Sequence, residues 1–432
     1  MKRVVLVNPP SPFLMEQRVF PNLGLIQLVT SLRFQGQQVD LLDLCGVADP
    51  DNQLRDAAEN YDFIGFSSTT PQFGEAFRLN QVVRETNPQA KTIIGGPHPS
   101  AVSSLVKDGL IGDPNIASLE EFDFIVVGEA DDLDLTTLNE KWTQAPPVRN
   151  ISKLPIPDRS LVDIHSYKYS LKGEPTTTVM SQFGCPYSCS FCCGREMDMY
   201  RKVRSKSAER IAEELDYLNE KFGFTSFMWF DDEVNINPLR LAKIADLLEG
   251  KGYQHRGFVR ADLVTKHPET LDHLVRAGFV EVCSGVESGS QRILDLVEKG
   301  TTVEQCIEAA ELIHARCLDY KAFAMIGHPS ETYVDIQRTI EVLKATRPKS
   351  FDIVILTPYP GSKLYNHSVH STKFPGYDRE YKGLYFRTID FSQKPSFYKG
   401  IPGEYTCQVR TDDLSSDELL RIRDEIETEL KN

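Results

Sequence analysis

The chain has 432 residues, enough for two or three domains, and its 41% hydrophobic and 25% charged content is that of a folded globular protein. No stretch reaches the roughly 18 apolar residues of a membrane span, and a net charge of −14 argues against a general nucleic-acid surface, which would be basic. Nine cysteines, three of them clustered, fit a reducing cytoplasm better than a secreted disulfide framework.

The opening Met1-Lys2-Arg3 and Val4-Val5-Leu6-Val7 is too short an apolar run for a signal peptide. It reads as a strand stopped at Asn8-Pro9-Pro10, since proline cannot continue a ladder. Residues 23–32 read as a helix and 39–44 as a second strand. A helix-like stretch leads to a buried strand at 63–68, a helix at 73–85, a strand at 92–96 and a fifth strand at 124–129. Alternation of this kind implies a doubly wound, Rossmann-like parallel sheet over residues 1–145. Ligands of such sheets sit at the carboxyl ends of the strands. Those ends carry Asn8-Pro9-Pro10, Ser67-Ser68-Thr69-Thr70, Gly95-Gly96-Pro97-His98 and Gly128-Glu129, where small residues let a ligand approach the backbone. Taken singly, each is ordinary turn chemistry. Residues 130–150 are short and polar.

Ile151 to Arg159 is punctuated by prolines and fits an ordered linker, placed at 146–175. Over 176–366, strands are expected at 176–183, 226–230, 255–261, 281–286, 320–326 and 351–356. Helix caps are expected at Ser207, at Asn237 followed by Pro238, and at Thr302 with Gln305. Six strands alternating with helices predict a partial (β/α)6 TIM-like barrel with its chemistry at the strand carboxyl ends. Residues 367–432 are irregular and aromatic-rich, with one helix near 415–430, and read as a small α+β cover over the barrel mouth. Tyr405 and Cys407 belong to that cover, where packing is their expected fate.

The most informative stretch follows the first barrel strand. Cys185, Cys189 and Cys192 are separated by three and then two residues, so their thiolates can converge on one inorganic centre. Four thiolates would saturate a 4Fe–4S cluster, whereas three leave one iron open for a small molecule. The other readings are a zinc site or buried structural cysteines. Structural zinc normally takes four ligands, and a second pair at a matching interval is missing. Cys193 directly follows Cys192 and reads as a bystander.

This triplet, with its strand context and the aromatic Phe191 before the third cysteine, resembles the cluster motif of the radical S-adenosylmethionine (SAM) superfamily. The glycine- and serine-rich strand ends together resemble the cobalamin-binding domain at the amino terminus of one large class of that superfamily, whose members are mostly methyltransferases. The resemblance implies a 4Fe–4S cluster on Cys185, Cys189 and Cys192, with SAM at the open iron and Phe191 near its adenine. It implies Asp231 and Asp232 at the methionine amino group, Arg260 at the carboxylate, Glu287 at the ribose hydroxyls or the amino group, and Ile326 and Gly327 along the adenine. It places Pro9, Ser67, Ser68, Thr69, Gly95, Gly96, Gly128 and Glu129 around a corrin ring. The Asp-x-His-x-x-Gly signature that gives cobalt a histidine is missing, so cobalamin would bind without one, and His98 is expected to be structural. A domain that keeps the fold without the cofactor is the alternative.

The implied reaction is reductive cleavage of SAM to a 5′-deoxyadenosyl radical, and then methylation of an unactivated carbon in a small metabolite. The second reading is a radical SAM dehydratase, cyclase or rearrangement enzyme. A tRNA-modifying enzyme is disfavoured by the acidic charge, and a cluster sensor by the polar rim. The implied partners are a small-molecule substrate and an electron donor such as flavodoxin or ferredoxin, with no nucleic acid and no membrane, in the cytoplasm.

Overall fold

Residues 2–393 and 405–431 of the protein are described by a computed structural model. Strand β1 (Val4–Asn8) is buried along its whole length, as the middle of a sheet covered on both faces must be. After it come α1 (Leu23–Phe34), β2 (Val39–Asp43), α2 (Pro50–Ala58), β3 (Phe63–Ser67), α3 (Phe73–Thr86) and β4 (Lys91–Gly95). Then follow α4 (Pro97–Lys107), α5 (Pro114–Leu119), β5 (Phe124–Gly128) and β6 (Trp142–Ala145). Side chains of Asn22 and Asp49 cap α1 and α2 by accepting from the Leu25 and Asn52 N–H groups. All six strands pair in parallel in the order β2-β1-β3-β4-β5-β6. The winding reverses between β1 and β3, which opens a crevice beyond their carboxyl ends.

Two features of this half differ from the sequence reading. Strand β6 lies in the stretch read as a polar connection, because an edge strand with Thr143 and Gln144 carries no apolar run. Residues 97–119, given no element from sequence, form α4 and α5, so His98 stands in the first turn of a helix rather than in a turn.

The second sheet starts with β7 (Ser170–Leu171), antiparallel to β8 (Glu174–Val179). The expected strand 176–183 is broken at Met180 and Ser181. The carboxylate of Asp231 takes the N–H groups of Ser181 (2.6 Å) and Gln182 (3.1 Å) in place of ladder partners. Residues beyond the break form β9 (Gln182–Phe183), which pairs antiparallel with β10 (Arg204–Ser205) and brackets the cysteine loop. The chain continues through α6 (Ala208–Phe222), β11 (Ser226–Trp229), α7 (Pro238–Leu248), β12 (Gln254–Phe258), α8 (Ala261–Lys266), α9 (Glu269–Ala277) and β13 (Phe279–Glu287). After these come α10 (Gln291–Leu296), α11 (Val303–His314), β14 (Asp319–Ile326), α12 (Tyr333–Thr346) and β15 (Ser350–Ile355). Strands β8, β11, β12, β13, β14 and β15 are parallel neighbours in that order, an open (β/α)6 barrel. Caps form at Ser207, Asn237 and Thr302, the last closing a capping box with Gln305. The third strand stops at Phe258, and Ala261, expected within it, opens α8.

The carboxyl-terminal part consists of α13 (Lys363–Asn366), β16 (Val369–His370), β17 (Arg379–Tyr381), β18 (Leu384–Phe386), β19 (Val409–Thr411) and α14 (Ser416–Lys431). The four strands form an antiparallel sheet. This sheet and α14 meet the barrel rim at the end of β14, where a Cβ on Gly327 would lie 3.2 Å from Val409 of β19 and 3.4 Å from Leu419 of α14. Tyr405 is buried and accepts the Ile355 N–H (3.3 Å), and the Cys407 thiol donates to the Val409 carbonyl (3.1 Å), so both are packing groups. The segment after β15 also grips the first sheet's helices. The Tyr365 hydroxyl donates to Asp113 (2.7 Å), and the Asn366 amide donates to Ser104 (2.8 Å) and Asp108 (2.7 Å). The carboxyl ends of both sheets are thereby turned towards one space.

Candidate functional site

Cys185, Cys189 and Cys192 all lie in the loop between β9 and β10. Gly184 turns the chain into that loop at φ 88°, where a Cβ would stand 2.5 Å from the Lys202 carbonyl oxygen and 3.0 Å from that of Tyr200. The Tyr200 carbonyl accepts the Cys185 N–H (2.8 Å), and the Ser190 N–H donates to the Val297 carbonyl (2.8 Å). Cys189 is buried, Cys185 half-buried and Cys192 exposed. Burial pushes the Cys185 thiol up to about 11, and the charges of Asp232 and Glu233 add to the effect. Among the described residues no three His, Cys, Asp or Glu side chains are gathered as a ready ion site. The donor set still fits an iron–sulfur cluster. Three thiols share one loop, and Arg260 Nη1 lies 3.9 Å from Cys189 Sγ, with the buried Lys299 in the same neighbourhood. Two cations beside ligating thiolates offset the negative charge such a centre brings.

The rim around this loop sorts the expected residues. Asp231 is fully committed, since its oxygens hold the Ser181 N–H, the Ser181 hydroxyl and the Gln182 N–H. Asp232 is open to the space between the sheets, and burial, followed by the charge of Asp231, raises its carboxyl to about 6. Arg260 is buried, lies 3.6 Å over the Tyr187 ring, pairs with Asp262 at 2.7 Å and donates to the Lys299 carbonyl. Its guanidinium therefore braces the cysteine loop. Glu287 pairs with Lys299 at 3.0 Å. Phe191 meets His328 edge-on at 6.2 Å beside the end of β14, where Ile326 and Gly327 lie. Sequence reasoning gave no role to Glu233 or Lys299. Burial raises Glu233 to about 8, its Oε2 has no hydrogen-bond partner among the described residues, and the charges acting on it include Lys299, Arg260, Asp232 and Asp262. A carboxylate third in an Asp-Asp-Glu run was legible in sequence. A lysine between a helix and a loop was not.

On the other side, a cavity of about 500 Å³ is bounded by both sheets. Ser67, Thr69, Gly95, Gly96, Gly128 and Glu129 line it from the strand ends of the first sheet. Pro9 and Ser68 do not reach it. The Pro9 carbonyl accepts from Cys45 Sγ (3.2 Å), and the Ser68 hydroxyl donates to the Thr69 carbonyl (2.8 Å). Facing this floor are Met180, Phe183, Met199 and Phe230, with Asp232, Tyr200 and Arg204 among them. Glycine backbone on one wall and aromatic and thioether side chains on the other fit a flat, bulky ligand such as a corrin. His98 is fully buried, stacks on Phe73 at 4.2 Å and contacts the Thr70 hydroxyl through Nδ1 (3.1 Å). Burial lowers its pKa to about 3, so it is a neutral packing group.

Comparison with known proteins matches both halves. Residues 179–343 fit the radical SAM superfamily model and residues 17–134 the B12 binding domain model. An uncharacterized methyltransferase of Pyrococcus horikoshii is 27% identical over 388 residues, which is 85% of this chain and 83% of that protein. The bacteriochlorophyllide d C-8(2)-methyltransferase of Chlorobaculum tepidum is 28% identical over 326 residues, 71% and 68% of the two chains. Among solved structures, the radical SAM methyltransferase TsrM of Kitasatospora setae superposes with a TM-score of 0.62 at 16% identity, covering 84% of this chain and 75% of its own. That likeness is one of fold.

Proposed function

We propose that this chain, a radical SAM enzyme with an amino-terminal B12 binding domain and with a 4Fe–4S cluster, SAM and cobalamin as its cofactors, methylates an unactivated carbon of a small molecule. The observation that carries this reading is the single cavity bounded at once by the strand ends of the first sheet and by the hairpin that brackets the cysteine loop. When bound, the cluster supplies the electron that splits SAM, and cobalamin supplies a transferable methyl group.

The chain's own residues take the following parts. Cys185, Cys189 and Cys192 hold the cluster, while Arg260 and Lys299 offset its charge and brace Cys189. Asp232 and Glu233 accept from the SAM amino group, and Asp231 fixes the strand from which they project. Glu287 faces the ribose, with Phe191, Ile326 and Gly327 along the adenine. Ser67, Thr69, Gly95, Gly96, Gly128 and Glu129 form the floor under the corrin, and the apolar wall opposite keeps water from the reacting carbon. The domain limits follow as 1–145, 176–366 and 367–432, with 146–175 as linker. The electron comes from a small reduced protein such as flavodoxin or ferredoxin. No helix of the described residues is long and apolar enough to cross a membrane.

The test is anaerobic reconstitution with iron, sulfide and hydroxocobalamin, followed by desalting and incubation with SAM and a reductant. Retained corrin absorption, together with 5′-deoxyadenosine and S-adenosylhomocysteine among the products, is expected. Formation of 5′-deoxyadenosine without either corrin bands or S-adenosylhomocysteine would sink the methyltransferase reading.

A further inference from the structure

The wall of the cavity that faces the strand ends carries five polar side chains: Gln182, Tyr200, Arg204, Lys206 and Asp232. Three are already held. Gln182 donates to the Glu233 carbonyl (3.2 Å) and accepts from the Ser205 hydroxyl (3.1 Å). Arg204 closes on Glu129, and Lys206 forms a buried pair with Glu214 (2.5 Å). Asp232 is ordinarily an acceptor. Tyr200 is thus the uncommitted donor of this wall, since its hydroxyl has no hydrogen-bond partner among the described residues and is not among the buried polar atoms.

The ring that carries this hydroxyl is held firmly. Tyr200 closes a 3₁₀ turn (Asp198–Tyr200), and its carbonyl takes the Cys185 N–H at 2.8 Å. A Cβ on Gly194 would stand 3.3 Å from Tyr200 Cβ and 3.7 Å from Cys192 Sγ, so ring and cysteine loop are packed as one piece. A tyrosine phenol, with an ordinary pKa of about 10, is protonated at neutral pH. A protonated phenol on a fixed stem is a directional donor.

We propose that Tyr200 is a contact residue for the corrin, its hydroxyl donating a hydrogen bond to an oxygen acceptor on the side of the bound cobalamin that faces the cysteine loop. The inference rests on the cobalamin reading above and adds to it the residue that ties the corrin to the cluster-bearing loop. An amide carbonyl carried by the corrin would meet this description.

The test uses full-length protein with its cluster reconstituted, hydroxocobalamin as probe, and the Tyr200→Phe and Tyr200→Leu variants. Phenylalanine keeps the ring and removes only the hydroxyl. The expected result is iron–sulfur absorption equal to wild type, with hydroxocobalamin bound about five-fold more weakly, the effect of one neutral hydrogen bond, and a shift in the bands of the bound corrin. Leucine, which also removes the ring, should in addition lower cluster content. Unchanged affinity and unchanged corrin bands in Tyr200→Phe overturn the proposal while leaving the cobalamin reading intact. Loss of the cluster in Tyr200→Phe overturns it too, because the hydroxyl would then serve the loop. Failure of wild-type protein to bind hydroxocobalamin overturns the cobalamin reading itself.

Discussion

The ammonium of Lys299 lies 3.0 Å from Oε1 of Glu287, and the two side chains are only 8% and 13% exposed. Gly285 makes room for the pair, since a Cβ there would fall 2.2 Å from Glu287 Oε1 and 3.0 Å from Lys299 Nζ. Glu287 itself sits at φ 62°, a left-handed conformation that costs a non-glycine residue about 1–2 kcal/mol. Removing one partner of a buried pair leaves an uncompensated charge, at about 3–5 kcal/mol. Lys299→Met should therefore lower the thermal unfolding midpoint markedly, and the double variant Lys299→Met/Glu287→Gln should recover much of the loss. Equal midpoints for the single and double variants would mean that the two groups are not coupled.

Gly184 offers a sharper test of the cysteine loop. Alanine there meets both a left-handed backbone and the Lys202 carbonyl oxygen at 2.5 Å. Gly173 has the same φ of 88° with nothing within 4 Å, so Gly173→Ala carries the conformational strain alone, about 1 kcal/mol. Iron bound per chain after anaerobic reconstitution should fall several-fold in Gly184→Ala and stay near wild type in Gly173→Ala. A full complement of iron in Gly184→Ala would refute the steric argument.

The same loop shows what sequence could and could not reveal. Thiol spacing and the existence of six barrel strands are local patterns and were legible, whereas the break at Met180 and Ser181 was not, since the Asp231 carboxylate that takes the N–H groups there lies 50 residues on. Strand β6 was not, because Thr143 and Gln144 on a sheet edge lack an apolar period. Asp231 and Asp232 are adjacent in sequence and were read as a pair. Only tertiary approach separates them, one locked onto Ser181 and Gln182, the other left open to the cavity. Lys299 and Arg204 find Arg260 and Glu129 far along the chain, so no window of sequence contained the signal.

Stability should depend on pH through Glu331. This residue is fully buried, with Oε2 accepting from the Gly327 N–H (2.5 Å) and the His328 N–H (3.2 Å), while Oε1 has no partner among the described residues. Burial raises its carboxyl from an ordinary 4.5 to about 8. Between those values the folded chain keeps a proton that the unfolded chain has released, so stability falls as pH rises through the window and levels off above it. Glu233, also raised to about 8 by burial, acts in the same sense. Glu331→Gln has no proton to lose. It should flatten the decline in melting temperature and melt above wild type at the alkaline end. A variant profile parallel to wild type would remove Glu331 as the source.

Arg204 and Glu129 tie the end of the first sheet to the hairpin that brackets the cysteine loop, and breaking the pair has a consequence of its own. Two charge-assisted bonds join them, Nη1 to Oε2 at 2.6 Å and Nη2 to Oε1 at 2.5 Å, with both side chains 11% exposed. The pair also holds residue 148, whose N–H donates to Glu129 (2.7 Å) and whose carbonyl accepts from Arg204 (2.8 Å). One fork thus fastens the end of β5, the chain leading to the linker and the hairpin strand β10. Neither sheet depends on it for its own core, so its loss should loosen the junction before it unfolds either half. Arg204→Leu leaves a nearly buried carboxylate unpaired, at a cost of about 3 kcal/mol. Arg204→Lys keeps the charge but loses the fork, and should fall between. Limited proteolysis with the cut sites mapped by mass spectrometry should show faster cleavage within 129–150 and 194–205 in Arg204→Leu, with the barrel helices as resistant as before. Cleavage at the wild-type rate in those segments would mean that the junction is held elsewhere, by the contacts of Tyr365 and Asn366 on the far side.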